Sequence, residues 1–495
     1  MSKQEVLLSC RDLSFRYSEK TDPVFSDLSL TVKSGETVLL MGPSGCGKST
    51  LAYCLAGLYP EYAGELTGEI TLMGRPLSEY GPAERAKAAS ILFQNPDNQF
   101  CMDRVDHEVL FALENINYQG DLQKRMRELL EKVGLEQEAE SPIHNLSGGM
   151  KQKLALCTAL ATEAQMLILD EPFANLDPAS SASLASLLEQ MNRQGMTLLV
   201  VDHRLDWWRP FLSRVILYSD TGNLDENSIT CGELEERREE FAARGLFLGS
   251  GWLEERHPQK ASSQEEIMVE AEELSLYHDR KTFLANLSFQ ARKGSVTALI
   301  GSCGSGKTTL LQAVAGVGKY KGRLERHGKA GLVFQNPRFQ FLSTSVKEEI
   351  LVTLRAARGK AEETALGEEA DGLLEEFGLL EWKEMSPYAL SQGQQRRLAL
   401  LSMLAGDCPV LLLDEPTYAQ DERSTRFILD LLEKKISEGL TVIMATHDLE
   451  LAAAWAGQIL LLKDGSLKPV EAREVLDYVE ALAQEKENGE GGTHL

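Results

Sequence analysis

The chain has 495 residues, 43% hydrophobic and 25% charged, with a formal net charge of −24. That length predicts two domains of about 200 residues or more, and the acidic balance argues against nucleic acid or a bare lipid surface as the main partner, since both need clustered basic residues. No run of apolar residues is long enough to cross a bilayer, no secretory signal is legible in MSKQEVLLSCRD, and eight singly scattered cysteines predict reduced thiols rather than disulfides or zinc.

In chain order, the first chemistry lies between a strand, TVLLM, and a helix, LAYCLAGL. It is the loop Gly42, Pro43, Ser44, Gly45, Cys46, Gly47, Lys48, Ser49, Thr50. GxxxxGK[ST] is a phosphate cradle: glycines let backbone N–H groups converge on phosphates, the lysine adds a point charge, and the Ser or Thr hydroxyl faces Mg²⁺. Tyr17, 25 residues before the loop, is a candidate to stack on adenine, with a core or surface tyrosine as the competing reading. LTGEITLMGRPLSEYGPAE reads as short strands and turns. FQNPDNQF follows with Gln94, then LSGGMKQ with Ser147, Gly148 and Gly149. MLILDEP reads as a buried strand ending in Asp170 and Glu171. Adjacent acids on a strand end can split two roles, Asp170 toward a metal and Glu171 toward the attacking water. MTLLVVDH ends a second buried strand in His203, a candidate γ-phosphate contact.

The whole series then recurs, and a repeat in fixed order marks duplicated units. The second loop is Gly301, Ser302, Cys303, Gly304, Ser305, Gly306, Lys307, Thr308, Thr309, with Tyr277 placed 24 residues upstream. FQNPRFQF carries Gln335, LSQGQQR carries Ser391, Gln392 and Gly393, LLLDEP ends in Asp414 and Glu415, and ATHDL holds His447. Offsets are 259 for the lysines, 241 for the glutamines and 244 from the signature serine onward, so the second unit is 18 residues shorter between lysine and glutamine. A trimmed peripheral hairpin is the expected cause. Alternating apolar strands and helical stretches place both units in the α/β class. The expected domains are 1–240 and 266–475, joined by a linker at 241–265 and followed by a disordered tail at 476–495. Leu246, Phe247, Leu248, Trp252 and Leu253 leave open whether the linker is free or lies against a domain.

The ordered set of aromatic, phosphate loop, glutamine loop, LSGG-type signature, DEP strand and histidine resembles the ABC ATPase superfamily, over nearly all the chain, twice. The resemblance implies two tandem P-loop nucleotide-binding domains, each with a RecA-like core, an antiparallel β subdomain and an α-helical signature subdomain. It implies ATP and Mg²⁺ as cofactors, and ATP held between one phosphate loop and the other unit's signature. Site one would use Tyr17, Lys48, Ser49, Gln94, Asp170, Glu171 and His203, with Ser391 and Gly393 in trans. Site two would use Tyr277, Lys307, Thr308, Gln335, Asp414, Glu415 and His447, with Ser147 and Gly149 in trans. The catalytic set would be Glu171, Glu415, His203, His447, Gln94 and Gln335, and Mg²⁺ would be held by Ser49, Gln94 and Asp170 or by Thr308, Gln335 and Asp414. Departures are Met150 for the glutamine closing the first signature, Gln392 for the first glycine of the second, and Gln420 where leucine is usual. Asp177 and Asp421 retain the loop aspartate that follows the DEP strand.

FQNPDNQF, followed by the acidic VDHEVLFALEN, resembles the ATPases of energy-coupling factor (ECF) transporters, which import vitamins and cobalt or nickel ions. The implied partners are a transmembrane coupling subunit and a substrate-capturing membrane protein, with no nucleic acid, and the implied location is peripheral, on the cytoplasmic face of the cell membrane. Fused sugar-importer ATPases are a rival of similar length that typically lacks FQNPDNQ. Ribosome-associated tandem ABC proteins are another, but they need a long, often basic helical linker. DNA-repair ABC proteins carry zinc cysteines, which have no counterpart here.

Overall fold

The computed structural model describes residues 5–479 apart from 19–21, 44, 60–62, 175, 220–223, 225–227, 235, 245, 247–249, 263, 279–280, 303, 418–419 and 421. Expectations for Ser44, Cys303, Phe247, Leu248, Asp421 and the tail beyond 479 therefore lie outside the described residues, while residues 476–479 of the tail expected to be disordered continue a helix that begins at 472. The chain divides into two compact units between residues 249 and 250.

The first unit is built on a six-stranded sheet. Its order is Ile229–Thr230, Arg214–Leu217, Thr37–Met41, Thr197–Val201, Met166–Asp170, Ala89–Leu92, parallel except for the first edge. Thr37–Met41, Met166–Asp170 and Thr197–Val201 are buried at every position, as strands covered on both faces must be, so they read as unbroken apolar runs. Beside it lies a four-stranded antiparallel sheet, Phe25–Lys33, Val6–Tyr17, Gly64–Leu72 and Arg75–Pro76. Alternation in Phe25–Lys33 sends Phe25, Leu28, Leu30 and Val32 inward. A helical layer, Val105–Asn115, Leu122–Val133 and Gly148–Ala161, shares one apolar core with the sheet strands through Val109, Leu113, Leu129, Leu154 and Leu167.

The second unit repeats this plan. Its six-stranded sheet runs Ala330–Val333, Val410–Asp414, Thr441–Ala445, Val296–Ile300, Gln458–Lys463, Ser466–Val470, parallel except for the last strand. Its antiparallel sheet has three strands, Lys281–Arg292, Ile267–His278 and Tyr320–Arg326. Val346–Arg358, Glu363–Glu376 and Gln392–Leu404 form its helical layer.

The 18-residue deficit is more than a hairpin. In the first unit, Gly64–Leu72 leads into Arg75–Pro76, a turn at Leu77–Glu79 and the helix Pro82–Ala88 before Ala89–Leu92. In the second, Tyr320–Arg326 passes almost directly to Ala330–Val333. The stretch expected to hold only strands and turns ends in a helix, because Pro82 at its first position and Glu84 accepting from the Gly81 N–H cap it.

The expected linker is structured where it is described. Leu246 is buried in the first unit's core alongside Phe241. Trp252 and Leu253 are buried in the second unit, with the Arg426 guanidinium 5.3 Å from the Trp252 ring centroid. Arg256 pairs with Asp430 and Glu433, and Gln259 bridges to Ala456. The apolar residues win because leaving Trp252 and Leu253 in water would forfeit about 2 kcal/mol each.

Candidate active sites

Each phosphate loop leaves its central strand and turns straight into a helix, Lys48–Leu55 or Lys307–Ala315. Gly47 and Gly306 sit at φ 103° and 104°, in the left-handed region where a side chain is strained. A Cβ on Gly42 would come within 2.5 Å of the Tyr218 carbonyl oxygen, and one on Gly301 within 2.4 Å of that of Leu462. The lysines are buried and folded back onto their own loops. Lys48 Nζ donates to the carbonyls of Gly42 and Pro43, both at 2.7 Å, and Lys307 Nζ to those of Gly301 and Ser302 at 2.7 and 3.1 Å. An ammonium held there at the N-terminus of a helix is suited to an anion.

The residue after each lysine meets the strand acid. Ser49 Oγ donates to Asp170 Oδ1 at 2.8 Å, and Thr308 Oγ1 to Asp414 Oδ2 at 2.9 Å. A hydroxyl and a carboxylate converging at the loop form a hard-oxygen pair, which fits Mg²⁺. Burial pushes both carboxyls up to about 6 despite these bonds. Tyr53 Oη donates to the other oxygen of Asp170 at 2.9 Å, a contact the motifs do not announce.

Glu171 and Glu415 sit at φ 45° and 51°, a backbone state that costs a non-glycine residue about 1–3 kcal/mol. Their N–H groups are still held by the neighbouring strand, at Val201 and Ala445. The two acids have different partners: the aspartates meet the loop hydroxyls and the glutamates the histidines. Glu171 accepts from His203 Nε2 at 2.8 Å and Gln94 Nε2 at 2.6 Å. Glu415 meets His447 Nδ1 at 2.8 Å. Burial raises the Glu171 carboxyl, but His203, Lys48 and Gln94 outweigh it and hold it below the ordinary range. His447 and Lys307 do the same for Glu415, and Glu415 in turn lifts the His447 imidazole. Gln94, expected at the metal, has its amide nitrogen on Glu171, so only its Oε1 can serve a cation. Gln335 is placed through its carbonyl, which accepts from Arg396 at 2.7 Å.

Two supports escaped sequence reasoning. Arg396, buried, ties the Gln335 carbonyl to that of Glu415 at 2.8 Å, and Gln152 stands at its register in the first unit. Asp202, buried, accepts from the N–H groups of His203 and Arg204 and from the Trp208 indole at 2.9 Å, which fixes the turn that presents His203. Thr446 replaces it in the second unit, where Asp448 caps the helix Leu449–Trp455. The signal for each was a charged residue at a motif position where its counterpart is neutral.

Ser147 and Ser391 cap the helices Gly148–Ala161 and Gln392–Leu404, accepting from the N–H groups of Met150 and Gln394. Gly149 and Gly393 are the second residues of these helices and are buried, and a Cβ on Gly149 would come within 2.6 Å of Ser180 Oγ. Gly148 and Gln392 are the first helical residues, and Gln392 is exposed, which is why glycine is dispensable there. Asp177 caps Pro178–Arg193 through Ser180. Tyr17 hydrogen-bonds Thr50 at 2.8 Å, which sets it against the phosphate loop, and the Lys321 ammonium lies 5.2 Å from the Tyr277 ring centroid. Thr309 is half-buried in the first turn of its helix.

The loop after Gln94 is less acidic than its composition. Asp97 and Asn98 are exposed, but Asp97 is paired with Lys151 at 2.7 Å, and Gln99 turns inward to Ala155 and Thr158. Glu108 is buried, bracing the N–H groups of Cys101 and Met102, and Asp106 pairs with Arg104. Glu349 repeats the Glu108 brace in the second unit, where Phe339 and Leu342 are about four-fifths exposed.

Cys46 lies inside the first phosphate loop, nearly buried, with its sulfur 3.7 Å from Lys48 Nζ. Alkylation of Cys46 is expected to be slow, to abolish ATP binding at that loop, and to be slowed further by Mg-ATP. Mass-spectrometric labelling checks this, with the exposed Cys101 and Cys231 as internal standards. Equal labelling with and without nucleotide would contradict the placement.

The sequence profile of the family "ABC transporter" matches residues 25–174 and 284–418. The "Putative HMP/thiamine import ATP-binding protein YkoD" of Bacillus subtilis (strain 168) is 36% identical over 94% of this chain and 92% of its own. A "Putative ABC transporter ATP-binding protein" of Streptococcus pneumoniae serotype 4 is 30% identical over 94% and 90%. A solved structure of the "RNase-L Inhibitor" superposes with a TM-score of 0.63 over 95% of this chain and 93% of that one at 20% identity, which shows a common fold. Among the described residues no helix is long and apolar enough to cross a membrane. With one profile matched twice, two loop–acid–histidine constellations and relatives aligned over most of both chains, the chain belongs to the ABC transporter family as an ATPase carrying two ATP-binding cassettes in tandem.

Proposed function

We propose that this chain is the ATP-hydrolysing subunit of an ECF-type importer, energising uptake of a vitamin or a transition-metal ion through separate membrane proteins. The observation that carries the reading is the bond from Gln94 to Glu171. It ties an outward loop, FQNPDNQF, directly to the glutamate that would polarise water, so a partner seated on Asp97 and Asn98 can sense the state of the site. The relative named for HMP/thiamine import supports the vitamin class.

In this reading Lys48 and Lys307 hold the phosphates, and Ser49 with Asp170 or Thr308 with Asp414 would hold Mg²⁺, which screens phosphate charge when bound. Glu171 and Glu415 accept a proton from the attacking water, and His203 and His447 orient them. Ser147 and Ser391, at the N-termini of long helices, are suited to the γ-phosphate of the ATP bound by the other cassette. Tyr17 and Tyr277 would line the base. The partners are a transmembrane coupling subunit and a substrate-capturing membrane protein, which hold the chain on the cytoplasmic face of the cell membrane.

Uptake of labelled thiamine, HMP, cobalt and nickel by cells with and without the chain tests this. Loss of one of them on deletion, restored by the intact chain and not by the Lys48→Ala/Lys307→Ala form, is expected. Unchanged uptake of all four, with loss of a sugar instead, would refute the ECF assignment.

A further inference from the structure

Both cassettes carry a phosphate loop, but among the described residues the first alone sets phenols around its strand acid. Tyr53 lies five residues after Lys48, on the helix that leaves the loop, and its hydroxyl donates to Asp170 Oδ2 while Ser49 occupies Oδ1. The ring is clamped edge-on by Tyr59 and Phe93, with centroids 5.5 and 5.6 Å away. Tyr59 also meets Tyr17, whose hydroxyl is on Thr50 of the same loop. At the matching positions of the second cassette stand Gln312 and Gly318, which offer neither a phenol nor a clamp.

We propose that Tyr53 is a positioning residue for the divalent cation of the first ATP site, holding one oxygen of the buried Asp170 so that the other stays turned toward Ser49 and the metal. The inference rests on the ATP-site reading above. A ligand carboxylate fixed by an outer donor binds metal better because it loses less freedom on coordination, and removing such a donor typically costs about 10–100-fold in metal affinity. The first site therefore binds its cation more tightly than the second, in a chain whose remaining loop chemistry is nearly the same.

The test uses Mn²⁺ as the probe, followed by electron paramagnetic resonance on the full chain with ATP. Lys307→Ala isolates the first site and Lys48→Ala the second. In the Lys307→Ala background, Tyr53→Phe should weaken Mn²⁺ binding about tenfold or more, while ATP affinity measured without metal stays within about twofold. In the Lys48→Ala background the same change should do nothing. Equal Mn²⁺ affinity with and without the hydroxyl, or an equal loss of metal-free ATP affinity, would overturn the proposal while leaving the ATP site standing. Retention of bound Mn²⁺–ATP in the Lys48→Ala/Lys307→Ala chain would overturn the site reading itself and the role of Tyr53 with it.

Discussion

Glutamine in place of Glu171 or Glu415 is expected to slow ATP hydrolysis by about 10²–10⁴-fold and to leave ATP binding intact. Each carboxylate is buried, yet its histidine and lysine neighbours hold its pKa below the usual range, so it is ionised at neutral pH and able to take a proton. The amide keeps the shape and the hydrogen-bonding reach of the side chain while removing its basicity. The two single variants need not be equal. Glu171 is held by both Gln94 and His203, whereas Glu415 is held by His447. Turnover of each variant in the assembled transporter, beside ATP binding by filter assay, is the measurement. Wild-type turnover in both would remove the glutamates from the chemistry.

Arginine at Asp97 is expected to uncouple the ATPase from the proposed membrane partner. Asp97 stands on the exposed loop beyond Gln94, paired with Lys151 of the signature helix. Reversal of its charge breaks that pair and sets two cations against each other, and it changes the face presented to any basic segment docking there, where charge fixes register. Uptake is expected to fall at least about tenfold, equivalent to ~1.4 kcal/mol of lost docking, with nucleotide binding by the isolated chain unchanged. Alanine at Asp97 and Asn98 should have the same effect, but smaller. The matching face of the second cassette carries Arg338, Phe339 and Leu342, so it should tolerate charge reversal and instead fail on Phe339→Asp. Full uptake with Asp97→Arg would place the docking surface elsewhere.

Much of this was legible because the motifs sit on apolar strands whose register survives duplication: Lys48, Asp170 and His203 each have a counterpart in the same order. The α/β class and the buried central strands followed from unbroken runs such as TVLLM and MLILD. What periodicity could not supply is direction. Nothing in DEP reveals that its glutamate adopts a left-handed backbone, and nothing in VDHEVLFALEN reveals that Glu108 folds back onto the N–H groups of Cys101 and Met102. Tyr53 and Arg396 act across 117 and up to 61 residues of sequence, distances at which no local pattern connects partners, whereas Asp202 acts within six residues of itself. The helix Pro82–Ala88 was missed because its seven residues are too few to show a period.

An ATPase that works on membrane proteins should copurify with them. The tagged chain, solubilised in mild detergent from the membranes of its own cells, should bring down a polytopic coupling subunit and a small integral membrane protein in fixed proportion, and Asp97→Arg should lose both. Recovery of the chain alone, or with ribosomal proteins, would contradict the account.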